Sequence, residues 1–226
     1  MRVGVLGTGG VGQTLAAKIA SLGHEVMMGT RDVQASLART EAGWGAIPLS
    51  EWSAQHPDVK LGTFAEAAAH AEVIFVATAG MGTLDALGAA GAENLQGKTL
   101  IDVANPLDFS RGMPPTLFVA NDDSLAEQIQ RAFPGANVVK TLNTVNSGVM
   151  VDPKQLAEGD HHMFVSGNDH RAKTEVTRIL MEWFGWTNVI DLGDIAGARG
   201  QEMLLALWLR LSMALGTPVV NLKVVQ

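Results

Sequence analysis

Gly7, Gly9 and Gly12 stand in the spacing G-x-G-x-x-G directly behind an apolar run, Val3, Val5 and Leu6. Such a run predicts a core strand, the glycines a tight turn, and the following segment to Leu22 a helix; His24 to Met28 then reads as a second strand, ending in Gly29-Thr30-Arg31. At the first strand-to-helix turn the spacing specifies a dinucleotide site. Gly7 makes the turn, Gly9 lets backbone approach a pyrophosphate, and Gly12 lets helix and strand pack closely. With Thr8, Gly10 and Val11 they form a loop whose free N–H groups sit at the positive end of a helix dipole. An NAD site places Asp or Glu at the end of the second strand. Here Thr30 and Arg31 offer a hydroxyl and a guanidinium suited to a ribose 2′-phosphate, so the expected cofactor is NADP(H). Asp32 is placed to neutralise Arg31 or to face a ribose itself, which keeps NAD open.

The 226 residues are 47% hydrophobic and 17% charged, enough apolar matter for a sizeable core. A net charge of −7 argues against nucleic acid and anionic membranes as partners. There are no cysteines, which removes disulfides and thiolate chemistry, and no tyrosines, which removes the Tyr-x-x-x-Lys acid of short-chain dehydrogenases. The N-terminal apolar stretch is broken by glycine and reads as a core strand rather than a signal peptide. Met203 to Leu209 is too short for a membrane span. The expectation is a cytoplasmic protein.

Strand and helix signals alternate through the first two-thirds, the pattern of an α/β, Rossmann-type, doubly wound parallel sheet. A polar helix is expected from Arg31 to about Glu41, an irregular segment from Gly43 to Pro57, and a short strand near Val59 to Leu61. Helix Phe64 to Ala71, strand Val73 to Ala77, helix Leu84 to Ala90 and strand Thr99 to Val103 follow. Pro114-Pro115 marks a loop, Leu125 to Phe133 a helix and Asn137 to Lys140 a strand. Residues 1–142 read as the nucleotide domain and 143–226 as a small docked α/β domain with strands at Met163 to Val165 and Val189 to Leu192. A long apolar helix, Ile195 to Leu215, closes it, capped by Asp194. In that helix Arg199, Glu202 and Arg210 share one stripe while Met203, Leu207, Met213 and their neighbours cover the rest. It must be covered on more than one side, which points to a homodimer.

The chain resembles the F420-dependent NADP oxidoreductase family over nearly its whole length. The resemblance is carried by Met1 to Gly12 with Thr30-Arg31, by the segment from Val138 to Asn146, and by the tail Gly216 to Lys223. It implies hydride exchange between NADP(H) and the deazaflavin coenzyme F420, with Thr8, Gly9, Gly10 and Val11 on the pyrophosphate, in a loop one residue shorter than the family's. Thr30 and Arg31 fall on the 2′-phosphate pair, Thr78 and Gly82 on the loop around the nicotinamide half, Ser147 on the segment closing over the ring, and Val220 near the deazaflavin. Three positions depart from the family: Ala35 stands where archaeal members have a lysine, and Ala79-Gly80 where they have proline and tryptophan.

Transfer between two rings needs stacking and orientation rather than a strong acid or base. The expected walls, Thr78, Ala79, Asn105, Pro106, Asn143, Val145, Asn146 and Ser147, contain nothing that titrates near neutrality. Lys140 with Asn143 has the Lys-x-x-Asn spacing of β-hydroxyacid dehydrogenases but ends a strand, which favours a structural or phosphate-facing lysine. His161-His162 lacks a third ligand, so no metal is expected and both are read as solvent-exposed. The five tryptophans read as core and interface. A flavin, quinone or ferric-chelate acceptor, or a non-catalytic NADP sensor, are the competing readings.

Overall fold

The computed structural model describes residues 1–43 and 45–226. Its elements run β1 (Arg2–Leu6), α1 (Gly10–Ser21), β2 (Glu25–Thr30), α2 (Val33–Leu37), α3 (Leu49–Gln55), β3 (Lys60–Thr63), α4 (Phe64–His70), β4 (Val73–Val76), α5 (Thr83–Ala90), α6 (Ala92–Leu95) and β5 (Thr99–Asp102). A hairpin of β6 (Leu107–Asp108) and β7 (Thr116–Leu117) follows, then α7 (Leu125–Ala132), β8 (Asn137–Lys140), α8 (Ser147–Val151), β9 (Met163–Gly167), α9 (His170–Ile179), β10 (Val189–Asp191) and α10 (Ala198–Leu215).

One eight-stranded sheet has the order β10-β9-β8-β5-β4-β1-β2-β3, and every neighbouring pair is parallel except β8–β9. The six strands from β8 to β3 form the Rossmann sheet, reversing direction of travel at β1, with β4 on one side and β2 on the other. The strands after residue 143 extend this sheet instead of forming a separate one: Val139 faces Gly167 and Lys140 faces Ser166 across the antiparallel junction. Buried β1 and β4 are almost purely apolar, as strands covered on both faces must be, and β5 places Leu100 and Ile101 between the buried polar Thr99 and Asp102. One layer joins Leu15, Ile19, Trp52, Phe75, Val176 and Trp186; the other joins Leu6, Ala67, Leu87, Leu100 and Ile129.

Two local expectations are corrected, and the Pro114-Pro115 loop is found where the sequence places it. The helix after Arg31 stops at Leu37, not near Glu41: Asp32 caps it through Ala35 N at 2.9 Å, and five residues leave no further apolar face to bury. The segment from Gly43 to Pro57 is not wholly irregular. Leu49 and Trp52, three apart, turn buried sides into the core as α3, while the buried Gln13 amide on α1 clamps both the N–H and the carbonyl of Ile47. The Pro114-Pro115 loop sits inside the β6–β7 hairpin. Of the tryptophans, Trp52 and Trp186 are buried, Trp183 and Trp208 partly so, and Trp44 lies outside the described residues.

His161 is corrected as well: it is buried. Its Nε2 lies 3.0 Å from Pro153 O, its Nδ1 2.7 Å from Asn221 Nδ2, and its ring meets Trp186 edge-on. It anchors the C-terminal tail. Among the described residues there is no group of three His, Cys, Asp or Glu side chains able to hold a metal ion. No described helix is long and apolar enough to cross a membrane.

In α10 the solvent face and the polar stripe do not coincide. Gln201 and Glu202 are buried, whereas Met203, Leu207, Met213 and Leu215 are exposed. A cap at Asp194, accepting from Ala196 N at 3.0 Å, starts the segment through a single 3₁₀ turn.

Candidate functional site

The glycine loop joins β1 to α1 at the carboxyl edge of the sheet. Gly7 has φ +120°, and a Cβ on Gly12 would fall 2.1 Å from the Gly7 carbonyl oxygen, so the helix approaches its own turn too closely for any side chain. A Cβ on Gly9 would meet nothing within 4 Å. That open space lies at the N-cap of α1, where no side chain caps the helix. The orphan N–H groups of the first turn are thus left for an anion.

A cavity of about 310 Å³ follows this loop and is lined by Gly7, Thr8, Gly9, Thr30, Arg31, Arg39, Phe64, Ala77, Thr78, Ala79, Gly82 and Ala86. At the end of β2, buried Thr30 Oγ1 lies 2.7 Å from the buried Ser36 Oγ, which also accepts from Arg39 Nη2 at 3.4 Å. Asp32 is committed to capping α2. Neither Arg31 nor Arg39 forms an ion pair among the described residues. Sequence reading missed Arg39, because a helix running on to Glu41 would have carried it two turns away from Arg31. The stop at Leu37 brings it back to the rim.

Ala77, Thr78 and Ala79, the segment after β4, also line a second cavity of about 380 Å³ completed by Val11, Gly80, Met81, Val103, Ala104, Asn105, Leu107 and Phe109. Thr78 is oriented by Thr83, hydroxyl to hydroxyl at 2.8 Å. The loops after β4 and β5 touch: a Cβ on Gly80 would lie 2.1 Å from the Asn105 carbonyl oxygen and 3.1 Å from Pro106 Cα. No bulky residue fits at Gly80 in this arrangement, so the small Ala79-Gly80 pair belongs to the way the two loops meet. Met81 and Phe109 stand exposed at the mouth.

Behind this wall Asn105 and Asn143 exchange amide hydrogen bonds: Asn105 Nδ2 donates to Asn143 O at 2.9 Å, and Asn143 Nδ2 donates to Asn105 Oδ1 at 3.0 Å. Asn143 also donates to Gln201 O and is buried, so it stands in the second row behind Asn105. Leu142, before it, is buried with φ +61°, a left-handed backbone held by its surroundings. Lys140 is wholly enclosed, its Nζ 2.9 Å from both Asp102 Oδ2 and Glu202 Oε1 and bonded to Ala104 O, so it is a structural lysine. Burial opposes its charge, but the two carboxylates outweigh it and raise its pKa. Burial pushes Asp102 up too; Lys140 pulls against this, and the neighbouring Glu202 charge adds to it.

Gly10 and Gly12 are buried in the first turn of α1, Pro106 is buried beside Gly80, and Gly82 caps α5. Ser147 opens α8, whose cap Asn146 accepts from Val149 N at 2.9 Å. Val220 does not line either cavity. It packs under α10 with Leu204, Leu207 and Trp208, and its carbonyl accepts from Trp208 Nε1 at 3.1 Å.

A doubly wound sheet with a glycine cradle at the crossover, and two arginines lining the adjoining cavity, is the arrangement of a dinucleotide-binding protein. The family model described as NADP oxidoreductase, coenzyme F420-dependent, matches residues 2–106. A crystal structure of a candidate F420-dependent NADP reductase of Arthrobacter sp. FB24 is 57% identical, covers 99% of each chain and superposes with a TM-score of 0.95. The F420-dependent NADP reductase of Methanothermobacter marburgensis is 28% identical over 94% of this chain and 93% of its own. The rat metalloreductase STEAP3 is 29% identical over 90% of this chain, which spans 36% of that longer protein. The chain belongs to the F420-dependent NADP oxidoreductase family and is an NADP-dependent oxidoreductase.

Proposed function

We propose that this protein passes a hydride directly between NADP(H) and coenzyme F420, with the pyrophosphate over Thr8 to Gly12, the 2′-phosphate at Thr30 and Arg31, and the nicotinamide beside Thr78, Ala79 and Asn105. The observation that carries this reading is the second cavity: it continues from the nucleotide cavity past Thr78, is walled by apolar and amide groups, and contains no titratable side chain. A carbonyl or imine reductase needs a proton donor at this point. The two rings supply the redox chemistry, and the chain's part is to hold them in contact and keep water out. Gly80 and Asn105 fix the wall, Thr83 sets the Thr78 hydroxyl, and Asn143 acts through Asn105.

The reading also assigns residues 1–142 to the nucleotide and residues 143–226 to the acceptor side, with Ser147 closing the ring site, while Val220, packed under α10, stands apart from both cavities. Exposed Met203 and Leu207, one turn apart on α10, support a homodimer whose second copy covers that face.

The match to STEAP3 over nine-tenths of the chain favours one competitor, an NADPH-dependent flavin or ferric reductase. An anaerobic acceptor screen separates the two. With NADPH, F420 should be reduced while FMN, FAD, ferric citrate and cyclohexanone are left unchanged. Turnover of FMN or ferric citrate without F420 reduction would replace the acceptor.

A further inference from the structure

We propose that Arg39 is the second cation of the ribose 2′-phosphate subsite and sets the preference for NADP(H) over NAD(H), standing in for the lysine absent at Ala35. The proposal rests on the reading of this cavity as the NADP(H) site and adds a selecting residue to it.

The geometry is local and specific. Arg39 and Arg31 line the same cavity, together with Thr30 and the pyrophosphate loop at Gly7, Thr8 and Gly9. Thr30 ends β2 and Arg39 follows the short α2, so the chain doubles back and aims both guanidinium groups at one space. Arg39 is exposed at the rim of the cavity, where its Nη2 makes a long 3.4 Å contact to Ser36 Oγ, and that buried hydroxyl lies 2.7 Å from Thr30 Oγ1. A hydroxyl that accepts from a guanidinium is biased to donate in turn. With Ser36 as the donor in this pair, the Thr30 proton is left for a phosphate oxygen in the cavity.

The charge balance agrees. Asp32, the nearest acid in sequence, spends Oδ1 on Ala35 N. Without an ion-pair partner among the described residues, the two arginines give the pocket two positive charges on a chain whose net charge is −7. A dianionic phosphomonoester fills that role, and the bare 2′-hydroxyl of NAD(H) does not.

Dissociation constants of NADPH, NADH, 2′,5′-ADP and 5′-AMP, measured by calorimetry on wild type, Arg39→Ala, Arg39→Lys and Arg31→Ala, test this. Arg39→Ala should weaken NADPH and 2′,5′-ADP by about tenfold to a hundredfold and change NADH and 5′-AMP by less than about threefold. Arg39→Lys should recover part of the loss, and the wild-type preference should shrink as salt rises. Unchanged NADPH affinity in Arg39→Ala, or an equal loss for all four ligands, would overturn the assignment of Arg39. If wild type shows no preference for NADPH and Arg31→Ala changes nothing, the reading of the whole cavity fails instead.

Discussion

Lys140 at the end of β8 and Glu202 in the second turn of α10 meet with Nζ and Oε1 2.9 Å apart, both fully enclosed. The other face of the Glu202 carboxylate accepts from Leu125 N at 2.8 Å and Ala126 N at 3.1 Å, the open first turn of α7. One carboxylate thus ties the last parallel strand to two helices, and Lys140 in turn holds the Ala104 carbonyl that begins the wall of the apolar cavity. Lys140→Met keeps the volume but leaves Asp102 and Glu202 facing each other unpaired. It should cost about 3–5 kcal/mol in urea unfolding, with a loss under 1 kcal/mol refuting the structural role.

The glycine loop separates fold from binding. Gly9→Ala adds a Cβ that touches no protein atom, at an ordinary φ of −77°, so stability should fall by about 1 kcal/mol or less. NADPH affinity should fall at least about tenfold, because that Cβ enters the space left for the pyrophosphate. Gly12→Ala forces Cβ against the Gly7 carbonyl and should lower the melting temperature as well. Wild-type NADPH binding by Gly9→Ala would contradict the placement.

Acid sensitivity should reside at the start of α7. Arg131 grips Asp123 with both nitrogens, at 2.9 and 2.7 Å, and lowers its pKa to about 2. Arg199 similarly lowers Glu127. A depressed carboxylate adds stability above its unfolded pKa and loses it as pH falls through the folded one, so this contribution should vanish between about pH 4 and pH 2 for Asp123. Arg131→Ala should flatten that part of the melting curve while changing stability little at pH 7. An identical acid profile would argue against it.

The exposed apolar side of α10 predicts the association state. Leu207→Glu should convert a species of twice 23.8 kDa into one of 23.8 kDa by light scattering, with NADPH binding retained. A wild-type protein of 23.8 kDa at micromolar concentration would remove the dimer from the account.

Much of this was legible in sequence because local rules decided it. The strand at Val73, the strand Asn137 to Lys140 and the cap at Asp194 follow from periodicity and short-range hydrogen bonds. What escaped depended on long-range contacts. The pattern at Leu49 and Trp52 is too brief to announce a helix until α1 lies beside it. His161 reads as a surface residue until the tail reaches it. Arg39 belongs to the cavity only because α2 stops short, and the pairing of Asn105 with Asn143 requires β5 and β8 to be neighbours.

The central claim is direct transfer between two rings across a wall without acids or bases. Under anaerobic conditions, NADPH deuterated at C4 of the nicotinamide, supplied as each diastereomer, should deliver its label to carbon in reduced F420 from one of the two faces only, with no loss to solvent. Label appearing in water, or reduction of free flavin with F420 untouched, would contradict it.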